Sequence, residues 1–362
     1  MSDDPGDVDY LNRHLNTGAP GIQGRVDDLI RDSHGSQDMA ELYREMVLAI
    51  VRMAQAERNR WDAKIMLQTI RELEAAFARL ELFKRRRKVT VFGSARTPVS
   101  HDLYVIAREM GRLLAANDFM TITGAGAGIM AAAHEGAGLD NSLGFNITLP
   151  FEQRSNDVVN GTEHDLSFKF FFLRKLFFVK EAEALILCPG GFGTLDETLE
   201  LLTLIQTGKS PIVPVILLDV PGGRYWESLM AFFREQLCAN GYILETDLNL
   251  MTLVDSPADA MDHILDFYSN YHSARWVDGS YVMRLNRALT ESALAHLQDT
   301  YADICRTPGF IQTTPSGAEA DEPELANLVR LSFVFNGRNH GRLRGLIDWI
   351  NRPENQQTRD TA

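Results

Sequence analysis

The sequence predicts an α/β fold, a Rossmann-like doubly wound parallel sheet with additional N- and C-terminal helices. Short apolar runs typical of buried parallel strands alternate with stretches whose apolar residues recur at helical spacing. Three of the turns between such strands and helices are rich in glycine. Because ligands gather at the carboxyl ends of parallel strands, these turns are expected to meet at one crevice.

The first 88 residues are predicted to flank this domain. Residues 1–36 are acidic and lack sustained periodicity, so they are expected to form a mobile or partly ordered arm. The helical extension at 37–88 has no glycine or proline up to residue 83, and its apolar spacing predicts one long helix or a helical pair. The basic run at 84–88 precedes a strand in an acidic protein, which favours a solvated strand entrance over a nucleic-acid patch.

The first strand-turn-helix unit begins with Val89–Phe92, a short β-rich run followed by a helical pattern. The turn between them contains Gly93, Ser94 and Arg96, which are candidate binding residues. Two interpretations of Arg96 stay open, a phosphate ligand and a surface charge.

The second turn is the pattern Gly-Ala-Gly-Ala-Gly, which contributes Gly124, Gly126 and Gly128 as candidate binding residues. The strand Phe119–Thr123 precedes it and a small-residue helix follows, which is the context that a nucleotide-binding turn needs. An NAD site is disfavoured, because the next strand, Phe145–Leu149, has no acidic residue at its end to hold a dinucleotide ribose.

Six phenylalanines surround the pair Arg174-Lys175 within Asp165–Val179, a segment that is expected to be a helix packed on the sheet. Arg174 and Lys175 could be no more than its exposed edge. They lie just upstream of the third glycine turn, however, where cations would complement a phosphate or sugar. A functional role for Arg174 is therefore favoured.

The third turn reads PGGFGTLDE at 189–197 and joins the apolar strand Ala184–Cys188 to a helix that continues to Gln206. Glycines let the backbone approach a ligand, and the free amides at the start of a helix attract anions such as phosphate. Glu197 follows one turn later and could face the same ligand, or could only complement the helix dipole. The candidate binding residues here are Gly190, Gly191, Gly193 and Thr194.

The nucleotide-binding domain is predicted at 89–271 and a mostly helical extension at 272–362. The remaining elements expected in the domain are a strand at Ile212–Leu218 and helices at Tyr225–Cys238 and Asp255–Tyr271. The elements expected in the extension are a long helix from Tyr281 to Ile304, a strand at Leu331–Phe335 and a helix at Arg342–Ile350.

The composition indicates a soluble cytoplasmic protein. The 362 residues are 45% hydrophobic, and 36 basic against 49 acidic residues give a net charge of −13. This charge argues against general binding to nucleic acid or to anionic membranes. The three widely spaced cysteines predict neither a disulfide framework nor a metal site. No signal peptide, membrane span or cofactor is expected.

These features together resemble the LOG (Lonely Guy) family, once labelled possible lysine decarboxylases, in its longer bacterial type. The family motif PGGxGTxxE stands at 189–197, with the Arg-Lys pair upstream at Arg174 and Lys175. The resemblance implies a phosphoribohydrolase that cleaves the N-glycosidic bond of a nucleoside 5′-monophosphate, releasing the base and ribose 5-phosphate. AMP and N6-modified cytokinin riboside monophosphates both stay open as substrates. A decarboxylase is disfavoured, because no pyridoxal-phosphate lysine with supporting residues is found.

The resemblance also implies that Arg174 and Glu197 are the catalytic pair. A carboxylate near the anomeric carbon stabilises positive charge on the sugar and can activate water, which suits Glu197. Arg174 is expected to position the ligand or the carboxylate, since a guanidinium stays protonated. The residues implied to hold phosphate are Gly191, Gly193 and Thr194. The candidates for the proton donor to the leaving base are Asp196, Glu152 and water.

Family sites are assembled close to subunit interfaces, so the resemblance implies a homodimer at least, with a hexamer possible. The alternative function is a nucleotide-binding or carrier protein that holds its ligand without hydrolysis. Such a protein needs the glycine turns but has no need of Glu197, and the presence of both Arg174 and Glu197 favours catalysis.

Overall fold

The computed structural model describes residues 21–33, 39–56, 59–149, 154–315, 319 and 322–357. The chain forms two compact units that divide between Ala75 and Ala76. The larger unit contains a seven-stranded parallel sheet and a four-stranded antiparallel sheet. Within the described ranges, no helix is both long and apolar enough to cross a membrane.

The described part of the N-terminal segment is mainly helical. Its helices are α1 (Ile22–Ser33), α2 (Ala40–Gln55) and α3 (Arg60–Glu81). The residues predicted as one long helix or a helical pair thus contain two helices. The predicted arm contains α1, in which Val26 is buried and Leu29 follows at helical spacing. The rest of that arm, residues 1–20 and 34–36, lies outside the described residues.

The predicted doubly wound parallel sheet is confirmed. Its strands are β1 (Lys88–Phe92), β2 (Met120–Thr123), β3 (Ser142–Ile147), β4 (Asp165–Phe168), β5 (Ala184–Leu187), β6 (Val215–Leu218) and β7 (Met251–Val254). Their spatial order is β4-β3-β2-β1-β5-β6-β7, with every neighbouring pair parallel. The strand order therefore reverses between β1 and β5. In such sheets the ligand crevice opens outside the carboxyl ends of the strands at this reversal.

Helices cover both faces of the sheet because its strands are apolar on both sides. They are α4 (Asp102–Ala116), α5 (Ile129–Ala137), α6 (Phe171–Glu181), α7 (Phe192–Gln206), α8 (Tyr225–Phe232) and α9 (Pro257–Phe267). Val89 and Val91 of β1 belong to a core cluster with residues of α4, α5 and α9. Phe92 points to the other face, where its ring centroid lies 4.7 Å from that of Phe178 in α6.

The prediction of a helix over Asp165–Val179 is wrong for the first part of the segment, because these residues form the edge strand β4. This strand pairs in parallel with Gly144–Ile147 of β3. Leu166 and Phe168 are buried while Ser167 is exposed, the alternation of a strand with one covered face. The helix α6 begins only at Phe171.

The basic run at 84–88 divides into two parts. Lys84 and Arg85 are exposed, as predicted for a solvated strand entrance. Lys88 is instead buried, and its Nζ lies 3.1 Å from Oε2 of Glu181. A buried cation is tolerated when it is paired in this way, so Lys88 belongs to the buried strand β1 and not to the solvated run.

The prediction that the extension at 272–362 is mostly helical is wrong. Its elements are β8 (Tyr271–Val277), β9 (Ser280–Leu285), α10 (Glu291–Thr300), β10 (Cys305–Thr313), β11 (Val329–Phe335) and α11 (His340–Ile350). The four strands form an antiparallel sheet in the order β10-β11-β9-β8. The strand predicted at Leu331–Phe335 and the helix predicted at Arg342–Ile350 are confirmed.

The long helix predicted from Tyr281 to Ile304 is wrong, because its first part is β9. Tyr281, Met283 and Leu285 alternate along this strand and all three are buried. Asp278 and Gly279 have φ values of 48° and 79° and connect β8 to β9. An Asp-Gly pair with two positive φ values is a strong hairpin signal, so the turn could have been found in the sequence.

One face of the antiparallel sheet buries paired charges. Arg284 and Arg330 are register partners on β9 and β11, and they are 3% and 2% exposed. Nη2 of Arg284 lies 3.0 Å from Oε1 of Glu319, and Nε of Arg330 lies 3.1 Å from its Oε2. Burial opposes the charge on Glu319, but hydrogen bonds from Arg330 and Arg284 outweigh it, so the pKa of this carboxyl is lowered.

We predict that Glu319→Ala lowers the free energy of unfolding by about 3 kcal/mol, because it removes the acceptor that two buried guanidinium groups share. Urea denaturation at neutral pH measures this change. Glu324→Ala removes an exposed carboxylate of the same segment and is expected to shift the free energy by less than about 0.5 kcal/mol. Equal shifts in the two variants would contradict a structural role for Glu319.

Candidate active site

A cavity of about 720 Å³ lies at the carboxyl ends of the central strands. It is at the reversal between β1 and β5, since Gly93 follows β1 and Gly190 follows the end of β5. The predicted site residues that line it are Gly93, Ser94, Arg96, Gly124, Arg174, Gly190, Gly191, Gly193, Thr194 and Glu197. The structure thus brings most of the predicted residues to one cavity.

Backbone hydrogen bonds join the three glycine turns around Ser94. Its N–H donates to the carbonyl oxygen of Pro189 at 3.2 Å, and its own carbonyl accepts from the N–H of Ile129 at 3.1 Å. Gly128, before α5, has a φ of +63°, and a Cβ there would lie 2.3 Å from the Ser94 carbonyl oxygen. Only glycine therefore lets these turns approach so closely.

The third turn presents free backbone donors at the N-terminus of α7. Gly191 precedes the helix and supplies no side-chain cap. Among the described residues, the amides of Gly191, Phe192 and Gly193 find no acceptor. A Cβ added to Gly191 or Gly193 would meet nothing within 4 Å. This combination of free amides and open space is typical of an anion site.

Arg174 is held against two aromatic faces. Its Cζ lies 4.9 Å from the ring centroid of Phe171 and 5.5 Å from that of Phe178. Its buried Nε has no hydrogen-bond partner in the described part of the chain. Burial lowers the pKa of the guanidinium, which nevertheless stays a cation, as arginine does in proteins. The site therefore contains an oriented cation with donor capacity left for a ligand.

Glu197 is a buried carboxylate, only 6% exposed, one turn into α7. Burial raises its pKa to about 7, although Lys175 and Arg174 both favour the charged form. Its Oε2 lies 3.6 Å from Nζ of Lys175, beyond the length of a normal charge-assisted hydrogen bond. A cavity carboxyl with a strongly raised pKa is a candidate for acid–base or electrostatic catalysis.

Lys175 and Asp196 lie beside the cavity and are not part of its lining. Nζ of Lys175 lies 2.8 Å from Oδ2 of Asp196 and 2.6 Å from Oε2 of Glu200. Burial opposes the charge on Lys175, but these two hydrogen bonds outweigh it and the pKa of the ammonium is raised. The residue predicted to bind substrate thus ties α6 to α7.

Gly126 and Gly128 also lie outside the lining. The Gly126 carbonyl accepts from Nδ2 of Asn156 at 3.2 Å. Asn156 in turn contacts the ring of His134, which is fully buried, and burial lowers its pKa to about 4. A neutral histidine therefore contacts the second turn through Asn156, outside the lining of the cavity. Glu152, a candidate proton donor, lies outside the described residues.

Tyr225, at the start of α8, was not predicted to take part in the site. Its hydroxyl donates to the carbonyl oxygen of Gly190 at 2.6 Å. The two residues are far apart in the sequence, and no local pattern signals this contact.

The family model described as "Possible lysine decarboxylase" matches residues 127–264. Over 199 residues the chain is 27% identical to the probable cytokinin riboside 5'-monophosphate phosphoribohydrolase LOGL5 of Oryza sativa subsp. japonica, covering 52% of this chain and 76% of that protein. It is 35% identical over 99 residues to the similarly named LOGL3 of the same plant, covering 27% of this chain and 44% of that protein.

The chain is also similar to one further curated relative and to one solved structure. The cytokinin riboside 5'-monophosphate phosphoribohydrolase LOG1 of Arabidopsis thaliana is 34% identical over 94 residues, which span 26% of this chain and 42% of that protein. The solved molybdenum cofactor binding protein of Rippkaea orientalis is 23% identical, with a TM-score of 0.36 over 50% of this chain and 96% of that chain. The matching family model and the curated relatives confirm the resemblance to the LOG family that the sequence predicts.

Proposed function

We propose that the protein is a phosphoribohydrolase that hydrolyses the N-glycosidic bond of a nucleoside 5′-monophosphate. The observation that carries this proposal is the buried Glu197 in one cavity with Arg174 and the free amides of α7. The names of the curated relatives support it. AMP and N6-modified riboside monophosphates are the proposed substrates.

The phosphate is proposed to bind at the N-terminus of α7. The amides of Gly191, Phe192 and Gly193 supply hydrogen-bond donors there, and the helix dipole adds partial positive charge. The nearby guanidinium of Arg174 suits a phosphate or a ribose hydroxyl, because it presents several donors in a fixed plane.

The base is proposed to lie against the apolar wall of the same cavity. Met130, Ile147, Leu149 and Phe171 line it and offer little hydrogen-bonding capacity from their side chains. Such a wall suits a flat purine and tolerates an apolar N6 substituent.

Glu197 is proposed to act as a carboxylate beside the anomeric carbon. Cleavage of the glycosidic bond develops positive charge on the ribose, which a carboxylate stabilises while it orients or activates water. Arg174 positions the substrate. Asp196 is disfavoured as the proton donor to the base, because it is paired with Lys175 outside the cavity lining.

A carrier or nucleotide-binding protein is the alternative function. It would use the same amides but would gain nothing from a buried carboxylate whose pKa is raised to about 7. Burying such a group weakens the folded state at neutral pH, and a role in catalysis would account for its retention. This cost favours hydrolysis.

The predicted homodimer or larger homo-oligomer stays a prediction. Leu42, Met46 and Ile50 of α2 are about half exposed and recur every fourth residue, which supplies an apolar face.

We predict that the wild-type protein releases adenine from AMP and that Glu197→Gln lowers this rate by about 10²–10⁴-fold, because the amide cannot supply the negative charge. Chromatography of the released adenine measures hydrolysis, and calorimetry measures the binding of AMP. The matched control is Glu227→Gln, which removes an exposed carboxylate from the first turn of α8.

The control is expected to retain full activity, because Glu227 is exposed and its charge can complement only the dipole of α8. Near wild-type turnover in Glu197→Gln would remove this residue from the mechanism. Tight AMP binding without release of adenine by the wild type over hours would instead favour the carrier.

The pH profile depends on the raised pKa of Glu197. The reactive carboxylate is lost as the pH falls through about 7, so kcat/KM is expected to drop by about tenfold per pH unit below that value and to level off above it. Initial rates at low AMP concentration measure the profile. A midpoint near the ordinary value of 4.5 would contradict the assignment.

Gly193→Ala is expected to weaken AMP binding by at least about tenfold, because the methyl group occupies the space through which phosphate approaches the amides. The free energy of unfolding is expected to be unchanged or raised, since alanine has a higher helix propensity than glycine. Gly24→Ala in α1 is the control, another helical glycine whose added Cβ meets nothing within 4 Å. Unchanged AMP affinity in Gly193→Ala would argue against phosphate at this position.

A further inference from the structure

Tyr225 contacts the third glycine turn without lining the cavity. Its hydroxyl donates to the carbonyl oxygen of Gly190. In a trans peptide the carbonyl and the next N–H point in opposite directions. The N–H of Gly191 therefore points away from Tyr225, and Gly191 itself lines the cavity.

The peptide between Gly190 and Gly191 needs an external restraint. Two adjacent glycines have more backbone freedom than any other pair, so this peptide plane can rotate. The carbonyls on either side are held by backbone donors, Pro189 by Ser94 at 3.2 Å and Gly191 by Leu195 at 3.2 Å. For the carbonyl between them, the donor is the Tyr225 hydroxyl.

Tyr225 is itself held by groups at the end of β6. Oδ2 of the buried Asp219 accepts from the N–H of Tyr225 at 3.2 Å, and its Oδ1 accepts from the N–H of Val220 at 2.8 Å. The indole of Trp226 is fully buried, donates to the Leu218 carbonyl at 3.3 Å and meets the Tyr225 ring edge-on at 4.7 Å. The phenol is thus anchored in a packed part of the domain.

We propose that Tyr225 is a positioning residue that fixes the Gly190–Gly191 peptide with the Gly191 amide directed at the phosphate of the substrate. The inference rests on the proposed function, because it requires a phosphate-bearing ligand at the start of α7. Tyr225 touches no substrate and acts through the backbone of the turn.

The test is Tyr225→Phe, which removes the hydroxyl and keeps the ring. Calorimetry with AMP, inorganic phosphate and adenosine separates the phosphate contacts from the rest of the ligand. Affinity for AMP and for phosphate is expected to fall by about three- to tenfold, the effect of one lost hydrogen bond, while adenosine binding stays unchanged. The control is Tyr242→Phe, because Tyr242 is 75% exposed.

Unchanged AMP affinity in Tyr225→Phe would overturn the inference. Equal weakening of AMP and adenosine would overturn it too, because that pattern indicates general distortion of the cavity. The proposed function fails separately, if the wild-type protein releases no base from nucleoside monophosphates. The affinity comparison needs no turnover, so it tests Tyr225 even if the protein only carries its ligand.

Discussion

The backbone hydrogen bond from Ser94 to Pro189 joins the turns that follow β1 and β5. These strands are neighbours, yet the chain leaves them in opposite directions along the sheet. A crevice opens wherever a doubly wound sheet divides in this way. The bond brings the first and third glycine turns together at the crevice, and α7, which starts after the third turn, directs its first amides into it. Arg174 and Glu197 line the same cavity as the two joined turns, so their arrangement depends on this junction.

Two buried carboxylates of the protein have pKa values shifted in opposite directions. In the antiparallel sheet, two guanidinium groups hydrogen-bond to Glu319, and its pKa is lowered. In the cavity, burial of Glu197 outweighs the cations near it, and its pKa is raised. Arg174 likewise keeps a buried nitrogen without a partner among the described residues. Buried polar groups normally satisfy one another, and the cavity differs from the charge pairs of the antiparallel sheet in combining a raised carboxyl pKa with a guanidinium nitrogen unpaired within the described ranges.

Much of the central sheet could be predicted from the sequence, because a strand buried on both faces leaves an uninterrupted apolar run such as Ala184–Leu187. The edge strand β4 has only one covered face, and its pattern merged with the phenylalanine-rich helix after it. The spacing of Tyr281, Leu285 and Leu289 fits a helix as well as a strand, so β9 was missed. The third glycine turn identified Glu197, since local sequence encodes both the turn and the start of the next helix. Arg174 and Lys175 were identified by their place just upstream of that turn and by the resemblance, and only Arg174 lines the cavity. The contact of Tyr225 with Gly190 depends on how two neighbouring strands place their loops, which no local pattern records.

The ion pairs of Lys175 bear on how a ligand reaches the cavity. One ammonium group lies among the carboxylates of Asp196, Glu197 and Glu200, on a chain whose net charge is −13. An approaching phosphate therefore meets repulsion at long range and attraction only once it reaches the amides and the guanidinium. Salt screens the first of these interactions more than the second, because the Debye length is about 8 Å at physiological ionic strength. Moderate salt is thus expected to speed the encounter of the proposed nucleotide ligand with the protein, the reverse of capture by a basic groove.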